Sequence, residues 1–192
     1  ESKRKVLEKN ENVLKDNQPL YSTEEVTIPK HFVSRFCDES KTLGFGYLLA
    51  DGTVGLIKKD HSRWIMDPHE TFIQCYRDYN CNVPEVIDLP TTKCPEINVI
   101  MKFSRSLKKV SSMFTVPATP YSKATPLRHV KYFLRNSNAT LFRMDQKDVQ
   151  VNFDDKIKVI YFTRTRKMLM VTNLKQKSRP ILVDSLKASQ AL

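Results

Sequence analysis

The sequence predicts an α+β chain, mostly antiparallel β, made of two similar units that each run several strands and then a helix. Three observations predict it. Short apolar runs broken by Gly, Pro and Asp turn signals fill residues 31–89 and return over 127–183. A single long stretch of helical period, starting at Pro95, separates the two sets. The two sets also align at one offset: Tyr47, Leu49, Val54, Leu56 and Ile65 lie 95 residues before Phe142, Met144, Val149, Val151 and Ile160, and His61 and Arg63 fall opposite Lys156 and Lys158. Identity across this repeat is almost nil, so it is a repeat of pattern. A sheet with one apolar face must cover that face, and two such units cover each other as a sandwich.

The elements follow in order. Residues 2–16 read as a charged helix with Val6, Leu7, Val13 and Leu14 on one narrow stripe, which needs a partner surface to be stable. Asn17-Gln18-Pro19 ends it, and 18–30 reads as a linker. Strands are expected at His31–Cys37, Gly44–Ala50, Thr53–Lys58, Arg63–Met66, Thr71–Tyr76 and Glu85–Leu89, with Asp51-Gly52 as a hairpin turn because both residues tolerate positive φ. Cys94-Pro95-Glu96 opens a helix to about Met113: Pro suits its first position, the acid suits the dipole, and Ile97, Ile100, Met101, Leu107 and Phe114 share a face. Residues 115–126 carry three prolines and form a second linker. Strands resume at Leu127–Arg135, Asn138–Met144, Val149–Phe153, Ile157–Phe162, Met168–Thr172 and Pro180–Val183, and Asp184–Leu192 reads as the start of a helix. The expected organisation is a cap helix and linker at 1–26, a first unit at 27–114, a linker at 115–126 and a second unit at 127–192.

The balance of charge favours anionic partners. The chain has 192 residues, 32 Lys and Arg against 21 Asp and Glu, and a net charge of +11. Residues 126–173 hold ten basic side chains against four acidic ones, so +6 of the charge sits there. A basic surface suits nucleic acid, anionic lipid or phosphorylated and acidic protein without choosing among them. No run of eighteen apolar residues is present, so no membrane span is expected. The start, Glu-Ser-Lys-Arg-Lys, has no initiator Met and no apolar signal region, and reads as the cut end of a longer intracellular protein. Cys37, Cys75, Cys81 and Cys94 form no C-x-x-C pair and read as free thiols; neither a metal site nor a cofactor is expected.

The stretch Lys156-Ile157-Lys158 is the candidate anion site. On a strand its two lysines share a face, about 7 Å apart at the Cα level, and can converge on one dianion. The alternative is a solvated face of a basic chain. Asp154-Asp155 is not a catalytic pair, because neighbours on a strand face opposite ways. Gly44-Phe45-Gly46 lacks the third glycine and the following helix of a nucleotide loop. There is no H-R-D, D-F-G or V-A-I-K, so no catalytic residues are assigned and the fragment reads as non-enzymatic.

Several segments resemble the polo-box region of polo-like kinases. Val33-Ser34-Arg35-Phe36-Cys37-Asp38 is similar to the family's opening Val-Ser-Lys-Trp-Val-Asp, and Gly44-Phe45-Gly46-Tyr47 to its Gly-Leu-Gly-Tyr. Val149-Gln150-Val151-Asn152-Phe153 matches Val-Gln-Ile-Asn-Phe, and Lys156 and Lys158 then fall on the His-x-Lys phosphate pincer after a one-residue deletion. The resemblance spans about residues 27–185. It implies two polo boxes, each a six-stranded antiparallel sheet with one helix, packed as a β-sandwich behind an N-terminal cap. It further implies a non-catalytic module that binds Ser-phosphoSer or Ser-phosphoThr segments between the boxes. Such a module directs a cell-cycle Ser/Thr kinase to partners in nucleus or cytoplasm, at centrosomes or kinetochores; the parent chain's own kinase domain is a further partner it allows.

By the same resemblance Lys156 and Lys158 hold the phosphate, and Phe36, Cys37, Ser111 and Ser112 line the peptide groove. The chain departs from the family at three of these places. Phe36 replaces the opening Trp, Ser111 and Ser112 replace an apolar pair, and Lys156 replaces the pincer His, which makes that charge permanent through pH 6–7. Two other readings stay open: a polo-box scaffold of kinetochore or centriole type that binds without phosphate, and nucleic-acid binding through the +6 region, which lacks an evident aromatic platform.

Overall fold

The computed structural model describes residues 21–22, 29–90, 94–109, 120–171 and 181–184. The helix expected at 2–16, the helix start expected after Asp184, and Ser111 and Ser112 lie outside them.

All twelve expected strands are present, and a thirteenth joins them. The first unit is a meander of β2 (Val33–Glu39), β3 (Gly44–Leu49), β4 (Val54–Ile57), β5 (Arg63–Met66), β6 (Phe72–Tyr76) and β7 (Glu85–Asp88), hydrogen-bonded in chain order. Helix α1 (Pro95–Lys108) follows, with an extended Cys94 ahead of it, Pro95 at its first position and Glu96 in its first turn. The second unit repeats the meander with β8 (Val130–Arg135), β9 (Ala139–Met144), β10 (Val149–Phe153), β11 (Lys158–Phe162), β12 (Lys167–Val171) and β13 (Ile181–Asp184). The additional strand, β1 (Tyr21–Ser22), lies within the stretch expected as linker. It pairs with Val183 and Leu182 of β13, so a segment that precedes the first sheet in sequence completes the second.

The offset in the sequence becomes matched geometry. The β4–β5 turn closes with His61 at φ 64° and the β10–β11 turn with Lys156 at φ 71°, each followed by the same hydrogen bond across the turn: Lys58 to Ser62 in one, Phe153 to Ile157 in the other. The β3–β4 turn has Gly52 at φ 95° where the β9–β10 turn has Lys147 at φ 71°. Both opening strands carry an irregularity at the same register, between Val33 and Arg35 in β2 and between Val130 and Tyr132 in β8.

The first sheet is buried on both faces. One face lies under α1, where Leu48, Leu56, Trp64, Met66, Ile73 and Cys75 meet Ile97, Ile100, Phe103 and Leu107. The other meets the second sheet, where Val33, Phe45, Tyr47, Leu49 and Ile57 pack with Val130, Phe142 and Met144. This explains why β3 to β6 read as continuous apolar runs, while β9 alternates between half-buried and buried. Two glycines permit the close contacts. A Cβ on Gly46 would fall 2.3 Å from the Phe103 ring, and one on Gly55 would fall 2.0 Å from Tyr47 Cζ.

Polar side chains pin the two units together. Gln74 of β6 accepts from Leu127 N at 2.7 Å and donates to Thr125 O at 2.9 Å, which fixes the approach to β8. Tyr47 Oη accepts from Val130 N at 3.0 Å, and burial pushes its phenol well above the usual range. No helix among the described residues is long and apolar enough to cross a membrane.

Candidate functional site

The site forms along the outer edge of β2, the first strand of its sheet. Ser34 stands at the irregularity, and its Oγ donates to Leu48 O at 2.9 Å. The irregularity turns the backbone of Val33 and Ser34 toward the second unit. There Gln150 of β10 closes a two-way amide pair: Val33 N donates to Oε1 at 2.7 Å, and Nε2 donates to Val33 O at 2.8 Å. Gln150 is buried and also donates to Asn152 Oδ1 at 2.6 Å, so its amide orientation is determined by three bonds.

Lys158 begins β11, opposite Asn152 of β10 and Val171 of β12. Its Nζ donates to Ser34 O at 2.7 Å and to Val33 O at 3.1 Å, and sits 5.8 Å from the Phe32 ring centroid. Burial, with the Arg35 guanidinium adding to it, pushes the ammonium pKa down to about 8. Arg35 points along the other side of β2 and donates to Leu107 O at 2.9 Å, at the end of α1.

The two lysines are not strand neighbours, and this corrects the strand-face reading of the motif. Lys156 lies before the strand, exposed, in the left-handed conformation of the β10–β11 turn, where its N–H closes onto Phe153 O at 3.1 Å. Asp155 takes the Ile157 N–H at 3.0 Å, stabilising the same turn. The one-residue deletion relative to the family pattern thus falls in a tight turn. Lys156 is presented from the turn tip and Lys158 from inside the seam.

Phe36 faces the layer between the sheets. It stacks on Phe45 at 5.4 Å and meets the Phe142 edge at 5.5 Å. Above it Arg135 of β8 lies 5.6 Å from the ring centroid and binds Asp38 Oδ2 at 3.1 Å. Although burial pushes Asp38 up, hydrogen bonds from Ser40 and the Arg135 charge hold its carboxyl below the usual range. Cys37, the next residue, faces the opposite way and packs against the cluster under α1. Burial and the neighbouring Glu39 carboxylate push its thiol up, so it is a poor nucleophile. Phe36 thus faces the layer between the sheets, Lys158 reaches the Val33–Ser34 backbone, Lys156 stands exposed in the turn ahead of β11, and Cys37 is turned toward the helix side. Ser111 and Ser112 are outside the described residues.

Sequence reasoning passed over three members of this seam. Gln150 was visible only as a letter in a matching segment, Asp38 as the end of the opening motif, and Arg135 as one of many basic residues. The signal that could have found Gln150 is a lone amide at a core position of an alternating strand. Among the described residues no group of three or more His, Cys, Asp and Glu side chains is placed to hold a metal ion.

No protein-family model matches the chain. It is 25% identical over 158 residues to a probable serine/threonine-protein kinase, CCRP1, of Zea mays, covering 78% of this chain and 25% of that protein. It is 23% identical over 158 residues to the serine/threonine-protein kinase polo of Drosophila melanogaster, covering 79% and 27%. The chain thus spans about a quarter of the length of these relatives. Its fold is similar to that of the budding yeast Cdc5 polo-box domain, solved in complex with an Spc72 phosphopeptide, with a TM-score of 0.68 at 16% identity over 94% of this chain and 67% of that one. With two matched meanders and a helix after the first, the chain has the fold of polo-box domains, and its sequence is similar to polo-like kinases over more than three quarters of its length.

Proposed function

We propose that this domain binds a phosphorylated Ser/Thr segment of a partner protein along the outer edge of β2, and so directs a cell-cycle Ser/Thr kinase to that partner. The observation that carries the reading is the convergence of Lys158, from the second unit, on the Val33–Ser34 backbone of the first, two residues from an exposed Lys156. An extended peptide laid on an edge strand gains backbone hydrogen bonds, and cations at its end select a dianion. Here the domain acts by binding alone. The Cdc5 polo-box domain, similar in fold, has been solved in complex with a phosphopeptide.

Binding has a cost in this chain. Lys158 already gives two of its three ammonium hydrogens to carbonyls, so a phosphate that takes more than the third must compete with them, and full protonation accompanies binding. Phe36 is likewise committed to two rings, and offers a peptide its rim and the Arg135–Asp38 pair above it. These two contacts also support the second reading, a polo-box scaffold that binds partners without phosphate, because they already join the two units at this place.

Calorimetry with a Ser-phosphoThr peptide and its unphosphorylated twin tests the proposal. The phosphorylated peptide is expected to bind at least about tenfold more tightly, and Lys156→Ala with Lys158→Ala is expected to abolish the difference. Equal affinity of the two peptides for the unaltered domain would overturn the phosphate reading and leave the scaffold reading standing.

A further inference from the structure

The repeat has a consequence at a second seam. Each unit contributes one opening strand and one hairpin turn to a seam, so the seam of β2 with the β10–β11 turn has a counterpart in β8 with the β4–β5 turn. Val130 and Tyr132 flank the irregularity as Val33 and Arg35 do. Phe133, paired with Phe142 as Phe36 is paired with Tyr47, stacks on Phe45 with centroids 3.8 Å apart. His61 stands where Lys156 stands. Between β8 and that turn lies a groove of about 470 Å³.

Its chemistry differs from the first seam in one decisive way. Arg63, the counterpart of Lys158, is turned off the groove: it is buried and donates to Asp78 O at 3.1 Å and Cys81 O at 2.9 Å. No pair of cations therefore closes on a dianion. What remains is a mixed surface. Tyr79, Tyr132 and Leu134 are 44%, 36% and 64% exposed, three of the six large exposed hydrophobics among the described residues. Lys59, His61 and Lys131 stand around them, with Lys131 Nζ 5.3 Å from the Tyr79 ring centroid. No acidic side chain lines the groove: Glu96 is drawn to Lys58 at 2.6 Å, and Asp60 is turned back onto Ser62 N and Oγ. β8 is also the last strand of its sheet.

We propose that this groove is a second docking site, for an extended, unphosphorylated segment of a partner protein in which acidic side chains flank an aromatic or aliphatic one. The segment adds along the outer edge of β8, places its apolar side chain on Tyr79, Tyr132 and Leu134, and aims its carboxylates at Lys59, His61 and Lys131. Charge complementarity selects the acids, and the absence of a closing cation pair makes phosphate unnecessary.

The test uses the whole domain and two synthetic peptides, Gly-Glu-Asp-Phe-Glu-Leu-Asp-Gly and the same peptide with Lys at every acidic position, each fluorescently labelled and read by anisotropy. The acidic peptide is expected to bind at least about tenfold more tightly than its basic twin. Leu134→Glu with Lys131→Glu, both at exposed or half-exposed positions, is expected to weaken it by a similar factor with an unchanged melting temperature. Lys156→Ala with Lys158→Ala is expected to leave it unchanged, so this site stands or falls separately from the phosphopeptide seam. Equal binding of the two peptides, or no loss in the Leu134/Lys131 variant, overturns the proposal. So does an oligothymidylate or an anionic vesicle that binds the domain with the same sensitivity to Leu134→Glu and Lys131→Glu while the acidic peptide does not bind.

Discussion

Lys158 Nζ lies 2.7 Å from the carbonyl oxygen of Ser34, across 124 residues of chain. The bond joins the second unit to the irregular edge of the first. It also commits the cation best placed for a phosphate to a structural role.

This commitment sets a pH dependence. The folded-state pKa of Lys158 is about 8, below the ordinary 10.5. Below pH 8 the lysine is charged in both states, and the cost of burying the charge is fully present. Between about 8 and 10.5 the unfolded chain binds the additional proton, so stability contributed by this group rises with pH. Urea denaturation of the wild type and of Lys158→Met at pH 7.5 and 9.5 is expected to show the wild type gaining on the variant at the higher pH. A constant difference would show that Lys158 keeps its ordinary pKa.

The same shift predicts proton uptake on binding. At pH 8 to 9 a phosphate dianion restores the full charge of Lys158. The calorimetric enthalpy of phosphopeptide binding is therefore expected to vary with the ionisation enthalpy of the buffer at pH 8.5 and much less at pH 6.5. Lys158→Arg, which does not deprotonate in this range, is expected to remove the variation.

Gln150 holds both backbone groups of Val33 in a buried place. Gln150→Leu keeps the volume and strands that N–H, while Val33 O keeps only the Lys158 ammonium and Asn152 Oδ1 loses its donor as well. A loss of about 2–4 kcal/mol is expected, since buried unpaired groups bear their full desolvation. Urea melts check it, the midpoint falling with the slope unchanged.

Gly55→Ala is expected to be as damaging as a large core substitution. The new methyl falls on the Tyr47 ring, and moving the ring breaks the Tyr47–Val130 bond that closes the other seam. A loss of at least about 2 kcal/mol is expected, read by thermal or urea melting. Arg135→Ala provides the contrast. Its pair with Asp38 is half-exposed, so stability is expected to change by less than about 1 kcal/mol. Phosphopeptide affinity is expected to fall several-fold, because the cover over Phe36 is lost.

Much of the architecture was legible along the chain. Turn residues such as Asp51-Gly52 and the change from short runs to helical period at Pro95 are local signals, and they located twelve strands and α1. The repeat at one offset was also legible, because apolar side chains at equivalent positions serve the same inter-sheet layer. The candidate site was legible only as a cast of residue types. Strand periodicity placed Lys156 beside Lys158, yet the tight turn between β10 and β11 takes in Lys156 and puts it in the left-handed region. Reading Phe36-Cys37 as one motif hid that neighbours on a strand serve opposite faces, here the seam and the helix side.

By itself, then, the sequence determined which segments become strands, where they turn, and that two meanders share one plan, since backbone preference and apolar period act within a few residues. Tertiary structure alone decided that Lys158 is bound to Ser34, that Gln150 serves Val33, that Tyr21–Ser22 belongs to the second sheet, and that Arg63 abandons the position Lys158 occupies. Those outcomes depend on which unsatisfied backbone groups two packed sheets bring within about 3 Å of a side chain, and no local pattern encodes that distance.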